Sequence, residues 1–103
     1  MLTSTTENIG KKYKIIGTVF GSATQSRHVG SDIGAQVKNF FGGEIKGYTK
    51  MLQNANEKSI ERLQNSASEL GADAIVTIRF NSDSIGEDIQ AITAYGTAVK
   101  FLE

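Results

Sequence analysis

No cysteine, proline or tryptophan occurs in the 103 residues, and histidine occurs once, at His28. Without cysteine there is no disulfide framework, no thiolate metal centre and no cysteine nucleophile. With one imidazole, a zinc or copper site drawn from one chain would have to take carboxylates for its other ligands. An excess of either charge is also missing, because 11 Lys and Arg offset 11 Asp and Glu. The basic residues are scattered, so no electrostatic footprint for nucleic acid or an acidic membrane surface is present. No apolar run nears the roughly 18 residues of a membrane span. The start, MLTSTTENIGKKYK, lacks the basic-then-apolar order of a secretory signal. Apolar residues nevertheless make up 39 % of the chain, which argues against disorder. These absences predict a single cytoplasmic domain over 1–103, of ordinary single-domain length, with neither nucleic acid nor membrane as a partner.

With no proline, the breaks are made by glycine and by Ser/Asn/Asp clusters. YKIIGTVFGSA, at 13–23, is rich in Ile, Val, Phe and Thr and reads as a strand. The preceding LTSTT, at 2–6, suits a short extended segment, and Asn8, Gly10 and Lys11 suit a turn. A long helix is expected over 44–70. Ile45, Tyr48, Leu52, Ala55, Leu63, Ala67 and Leu70 fall near one stripe, with Ile60 at its edge. Glu44 suits the positive end of the helix dipole, and Gly71 supplies the stop. ADAIVTIRF, at 72–80, alternates, with Ala72, Ala74, Val76, Ile78 and Phe80 on one side. NSDSIGED reads as the turn of a hairpin whose second strand is 88–102. Within 24–43, Ile33, Val37, Phe40 and Phe41 keep helical spacing. A short helix capped by Ser31 or Asp32 is expected there, kinking into the long one at Gly42-Gly43.

The order β-α-β-β with a right-handed crossover predicts an α+β, two-layer fold. Its expected sheet is antiparallel and three-stranded, in order 1-3-2, under one long helix. That helix can cover only one face. In the last strand Ile92, Ala94, Gly96 and Ala98 oppose Ile89, Ala91, Thr93, Tyr95, Thr97, Val99 and Phe101. In the first, Tyr13, Ile15 and Val19 oppose Ile16, Thr18 and Phe20. Strands apolar on both sides need two covers, and a second copy of the chain is the expected one. The alternative is that the short helix folds over the far side.

Signals for catalysis are few. Neither G-x-x-x-x-G-K-[ST] nor G-x-G-x-x-G occurs. Ser26, His28 and Asp32 supply nucleophile-triad residue types, but they crowd into one loop with no rigid frame around the base. A polar loop accounts for them. Arg27 has the geometry to hold an anionic group by bidentate hydrogen bonds, or to pair with Asp32 or Glu44. Tyr48 and Tyr95 read as packing residues with satisfied hydroxyls. No acidic loop has EF-hand spacing. A soft-metal site is reachable only by symmetric repetition, one ligand per subunit around an axis.

Four runs in order carry a resemblance: Ser26, Arg27 and Asp32; then Gly42, Gly43, Glu44, Tyr48 and Thr49; then LGADAIVTIRF; then AYGTAV. Together they resemble the YbjQ-like family, small bacterial and archaeal proteins sometimes labelled heavy-metal-binding. The resemblance implies a fold similar to the dodecin subunit, and pentamers resembling a β/α propeller in which the apolar far face is subunit interface. By position it points to a small-ligand site at Ser26, Arg27, Asp32, Glu44 and Tyr48. It implies no cofactor, because the flavin of dodecins does not travel with the fold. The expectation is a non-catalytic homo-oligomer, a pentamer, binding a small ligand or a metal at subunit interfaces. Two alternatives stay open: an enzyme with an inter-subunit site around Arg27, Glu44 and Tyr48, and a module that binds another protein through an edge strand or the 2–6 segment.

Overall fold

The computed structural model describes residues 1–26, 46–86 and 89–102. Among these residues five elements follow one another: β1 (Leu2–Thr3), β2 (Tyr13–Ser26), α1 (Lys46–Glu69), β3 (Ala74–Gly86) and β4 (Ile89–Phe101). The class is α+β, with α1 packed on the sheet. The sheet differs from the expected three-stranded antiparallel 1-3-2 arrangement. It has four strands in the order β1-β3-β4-β2, and it is mixed because β1 runs parallel to β3. The 2–6 segment makes the difference. It hydrogen-bonds along the start of β3 (Ser4 N–H to the Ile75 carbonyl, 2.9 Å, and Ile78 N–H to the Ser4 carbonyl, 3.0 Å). The expected short helix around 33–41, the kink at Gly42-Gly43 and the helix start at Glu44 lie outside the described residues.

β3 is longer than alternation alone suggested. NSDSI, expected in the turn, continues the strand, because β4 offers a partner for each residue: Asn81 pairs Thr93, Ser82 pairs Ile92 and Asp83 pairs Ala91. A ladder neighbour outweighs weak intrinsic preference. At 13 or 14 residues, β2, β3 and β4 would each span about 45 Å. The molecule accordingly measures 55 × 25 × 16 Å.

The helix buries Ala55, Ser59, Leu63 and Ala67, one residue per turn. Leu52 and Leu70, expected on that stripe, are exposed instead, while Ser59 takes a buried place and donates its hydroxyl to the Asn56 carbonyl at 2.8 Å. Small side chains let the helix backbone descend onto Gly21. A Cβ there would overlap Leu63 N and the Ser59 carbonyl, and lie 2.8 Å from Leu63 Cα. Beside this contact Leu63 and Ala67 meet Val19, Ile75, Ile78, Ala94 and Ala98, while Ala55 meets Ala23 and Ile92. The helix ends in a Schellman motif: Ala72 N–H donates to the Ala67 carbonyl and Gly71 N–H to that of Ser68, with Gly71 at φ +78°. Lys100 Nζ then donates to the Gly71 carbonyl at 3.2 Å.

Two β-bulges reset which residues face the helix. One falls at Ile16, between Ile15 and Gly17, so Tyr13 and Ile15 share a face with Thr18 and Phe20, and Val19 faces the helix with Gly21 and Ala23. The other lies between Val76 and Arg79 and holds Thr77 at φ +56°. It puts Ile75, Ile78 and Phe80 on the helix side and Ala74 and Val76 on the far side. An extra residue in one strand changes the phase of everything after it. The strict alternations expected for 13–20 and 72–80 are corrected accordingly.

Part of the far face is covered from within the chain. Residues 4–13 cross it, so Ile9, Tyr13 and Phe101 pack on buried Ala74, Val76 and Val99. Tyr13 Oη donates to the Glu7 carbonyl at 2.7 Å, and Arg79 Nη1 to the Thr5 carbonyl at 2.8 Å. On this part of the face the cover is the chain's own arm and not the second copy expected from the sequence.

Candidate functional site

Beyond the arm, the far face is open among the described residues. Phe20 and Tyr95 are directly opposed on β2 and β4, with ring centroids 6.4 Å apart and planes inclined at 35°. Their exposures are 58 % and 39 %. Arg79 lies opposite Tyr95 on β3, completing a row across three strands. The next row is polar: Ser22 and Thr93 share a hydroxyl–hydroxyl hydrogen bond of 2.9 Å, and Asn81 Nδ2 donates to Asp83 Oδ2 at 3.0 Å. Ile15 and Ile89, also exposed, extend the apolar surface along the strands. At about 200 Å² per large side chain, the exposed parts of Ile15, Phe20, Ile89 and Tyr95 make about 400 Å², within the range of the largest patch on a typical monomer.

The sequence-derived site fares differently. Ser26 closes β2, paired with Ile89. Tyr48 stands in the first turn of α1. β2 and α1 run in opposite directions, as the contacts of Ala23 with Ala55 and of Gly21 with Ser59 and Leu63 show. Ser26 and the helix start are thereby brought to the same end of the sheet, by their backbones. The Tyr48 side chain, together with Arg27, Asp32, Gly42, Gly43 and Glu44, lies outside the described residues. Tyr95, read as a packing residue, is on the open face. Its pairing with Phe20 is hidden in the sequence by the bulge at Ile16, which determines that both rings project the same way.

Two surface clefts contain none of those residues. One, of about 380 Å³, lies between the end of β2 and the helix and is lined by Gln25, Asn54, Glu57, Lys58 and Glu61. Its carboxylates and ammonium are exposed, so water competes fully for any ligand they would hold. The other, of about 310 Å³, is lined by Gly10, Lys11, Lys12 and Phe101, with Lys11 Nζ 4.7 Å from the Phe101 ring centroid. That stacking is an ordinary exposed cation–π contact. No helix among the described residues is long and apolar enough to cross a membrane.

Comparison with known proteins places this architecture. A solved structure of a protein with unknown function, of the DUF74 family from Pediococcus pentosaceus, matches with a TM-score of 0.73 at 17 % identity. The match covers 98 % of this chain and 97 % of that one, and shows the fold. A "UPF0145 protein" of Lacticaseibacillus casei is 59 % identical over 103 residues, covering 99 % of this chain and 95 % of the relative. Another from Enterococcus faecalis is 54 % identical over 103 residues, covering 99 % of this chain and the whole relative. The YbjQ family model, described as "Putative heavy-metal-binding", matches residues 1–102.

The donor set of a single chain does not fit that description. Soft metals prefer thiolate and imidazole, and this chain carries no cysteine, one histidine and two methionines. Among the described residues no three His, Cys, Asp or Glu side chains come together as a metal site would require. The fold match, the identity above one half along the full length, and the family match over 1–102 nonetheless converge: the chain belongs to the YbjQ family.

Proposed function

We infer that the chain is a non-catalytic, cytoplasmic self-assembling protein, a pentamer as its family resemblance implies, that takes a small ligand or a metal where copies meet. The observation that carries this reading is the open half of the far face. Phe20 and Tyr95 stand in it, beside the hydroxyls of Ser22 and Thr93. Aromatic side chains are enriched at protein interfaces relative to the rest of the surface.

Self-assembly also bears on the ligand. Ser26 and the start of α1 share one end of the sheet, and in sequence they bracket the stretch that carries Arg27, Asp32 and Glu44. A ligand at that end would meet polar groups of one copy and the neighbouring surface of another. Soft metal follows the same rule, because no single chain supplies a full set of nitrogen or sulfur donors.

Native mass spectrometry of protein purified without a metal-affinity tag tests this directly. The expected result is a discrete multiple of the 11.1 kDa chain, with any retained soft metal at fewer than one ion per chain. A lone 11.1 kDa species overturns the assembly reading. One zinc or copper ion per chain overturns the shared-site reading.

A further inference from the structure

Basic residues scattered in sequence are gathered by the fold at one end of the sheet. Lys11 and Lys12 lie in the turn that leads into β2, and Lys14 stands directly opposite Lys100 on β4. Like charges placed so are a cost to a strand pair. Lys100 is partly relieved, since its Nζ donates to the Gly71 carbonyl at the helix end. Tyr13 and Phe101 pack on the far face, so Lys14 and Lys100 project to the helix side. Lys11 reaches the far side, where its ammonium lies over the Phe101 ring.

Lys11 and Lys12 line the cleft of about 310 Å³, with Gly10 and Phe101 as its other described walls. Hydrogen bonds fix the frame. Gly10 N–H donates to Asn8 Oδ1 at 3.0 Å, and Leu102 N–H to the Lys12 carbonyl at 3.1 Å. Gly10 holds φ +75°, and a Cβ there would meet nothing within 4 Å, so this wall is bare backbone. Phe101 is anchored on Ala74, Val76 and Val99, which holds its ring at the cleft. A frame set before binding lowers the ordering cost of a ligand. The cleft beside the helix differs, because there Glu57 and Glu61 offset Lys58. Here, among the described residues, two ammonium groups line the space and no carboxylate does.

We propose that this cleft binds a phosphate monoester with a flat apolar body. The phosphoryl group sits between Lys11 and Lys12, and the body lies against Phe101. Two ammonium groups match a doubly charged phosphoryl group, which lysine serves as a point charge, whereas a carboxylate would neutralise one of them. Lys14 and Lys100 add positive potential at the same end, reaching over a Debye length of about 8 Å at physiological salt. Both ammonium groups of the cleft are exposed, so the binding is weak and sensitive to salt. The site lies within one copy, so it stands or falls apart from self-assembly.

Phenyl phosphate titrated into the isotope-labelled full chain, read by amide NMR shifts, tests the site. Saturable shifts are expected at Gly10, Lys11, Lys12, Phe101 and Leu102. Inorganic phosphate, which lacks the ring, is expected to bind about fivefold more weakly. Lys11→Gln/Lys12→Gln is expected to weaken phenyl phosphate by about tenfold. Both side chains are exposed, so the double variant keeps the fold. Shifts spread evenly over Lys14, Lys50, Lys58 and Lys100 overturn the site, as does full affinity in the double variant. Equal binding of the two phosphates overturns the aromatic wall, and the ligand class with it.

Discussion

The far face of the sheet has two halves carried by the same three strands. Over Ala74, Val76 and Val99 the N-terminal arm lays down Ile9 and meets Tyr13 and Phe101, and the aliphatic residues beneath are buried. Further along the same strands, Phe20 and Tyr95 are exposed among the described residues, beside Ser22 and Thr93. The covered half resembles a domain core. The open half has the mixed aromatic and hydroxyl surface of a contact made after folding. The difference teaches that the N-terminal arm covers one half of this face and that, among the described residues, nothing covers the other.

That contrast can be broken by substitution. The largest effect is expected on the opposite face, where the fold has no slack. Gly21→Val should cost about 3 kcal/mol or more in denaturant unfolding, because a side chain there meets helix backbone at Ser59 and Leu63 and not a movable side chain. Val99→Ala, under the arm, should cost about 2 kcal/mol by leaving a cavity beneath Tyr13 and Phe101. Tyr13→Phe, which removes the bond to the Glu7 carbonyl, should cost about 1 kcal/mol. Exchange of the 2–6 backbone amides should accelerate with it.

The smallest effect on the single-chain fold is expected on the open half. Phe20→Ser should change the stability of the isolated chain by no more than about 0.5 kcal/mol. Its signature is elsewhere: the wild-type Tm should rise with protein concentration, as assembly demands, and that of Phe20→Ser should not. Equal costs for Val99→Ala and Phe20→Ser in dilute solution would erase the distinction between the halves.

Much of this architecture is legible in the residues. Spacing locates the long helix, Gly71 its end, and β-branched runs the three long strands, because each depends on local pattern. The far-face surplus is legible too, since an apolar row opposite the helix row is visible in β4 without a structure. Other features depend on partners distant in sequence. Thr77 bears no mark of a bulge, being a β-branched residue at a φ it rarely adopts, and the phase of β3 turns on it. Leu2–Thr3 is too short to read as a strand until Ala74 and Ile75 pair with it. NSDSI looks like a turn until β4 pairs it. Ser59 is polar by type, but it lies buried because the helix approaches Gly21 so closely. Of the site residues, only Ser26 and Tyr48 can be positioned, and by backbone alone. Arg27, Asp32 and Glu44 lie outside the described residues.

The central claim is that the Phe20–Tyr95 half of the sheet is a contact between copies. Sedimentation equilibrium of the wild-type protein beside the Phe20→Ser/Tyr95→Ser double variant tests it most directly. The account predicts a wild-type mass that is a whole multiple of 11.1 kDa and a smaller assembly for the variant, with the helix signal unchanged. A wild-type protein that sediments as one chain, or a variant that keeps the full wild-type mass, would contradict it.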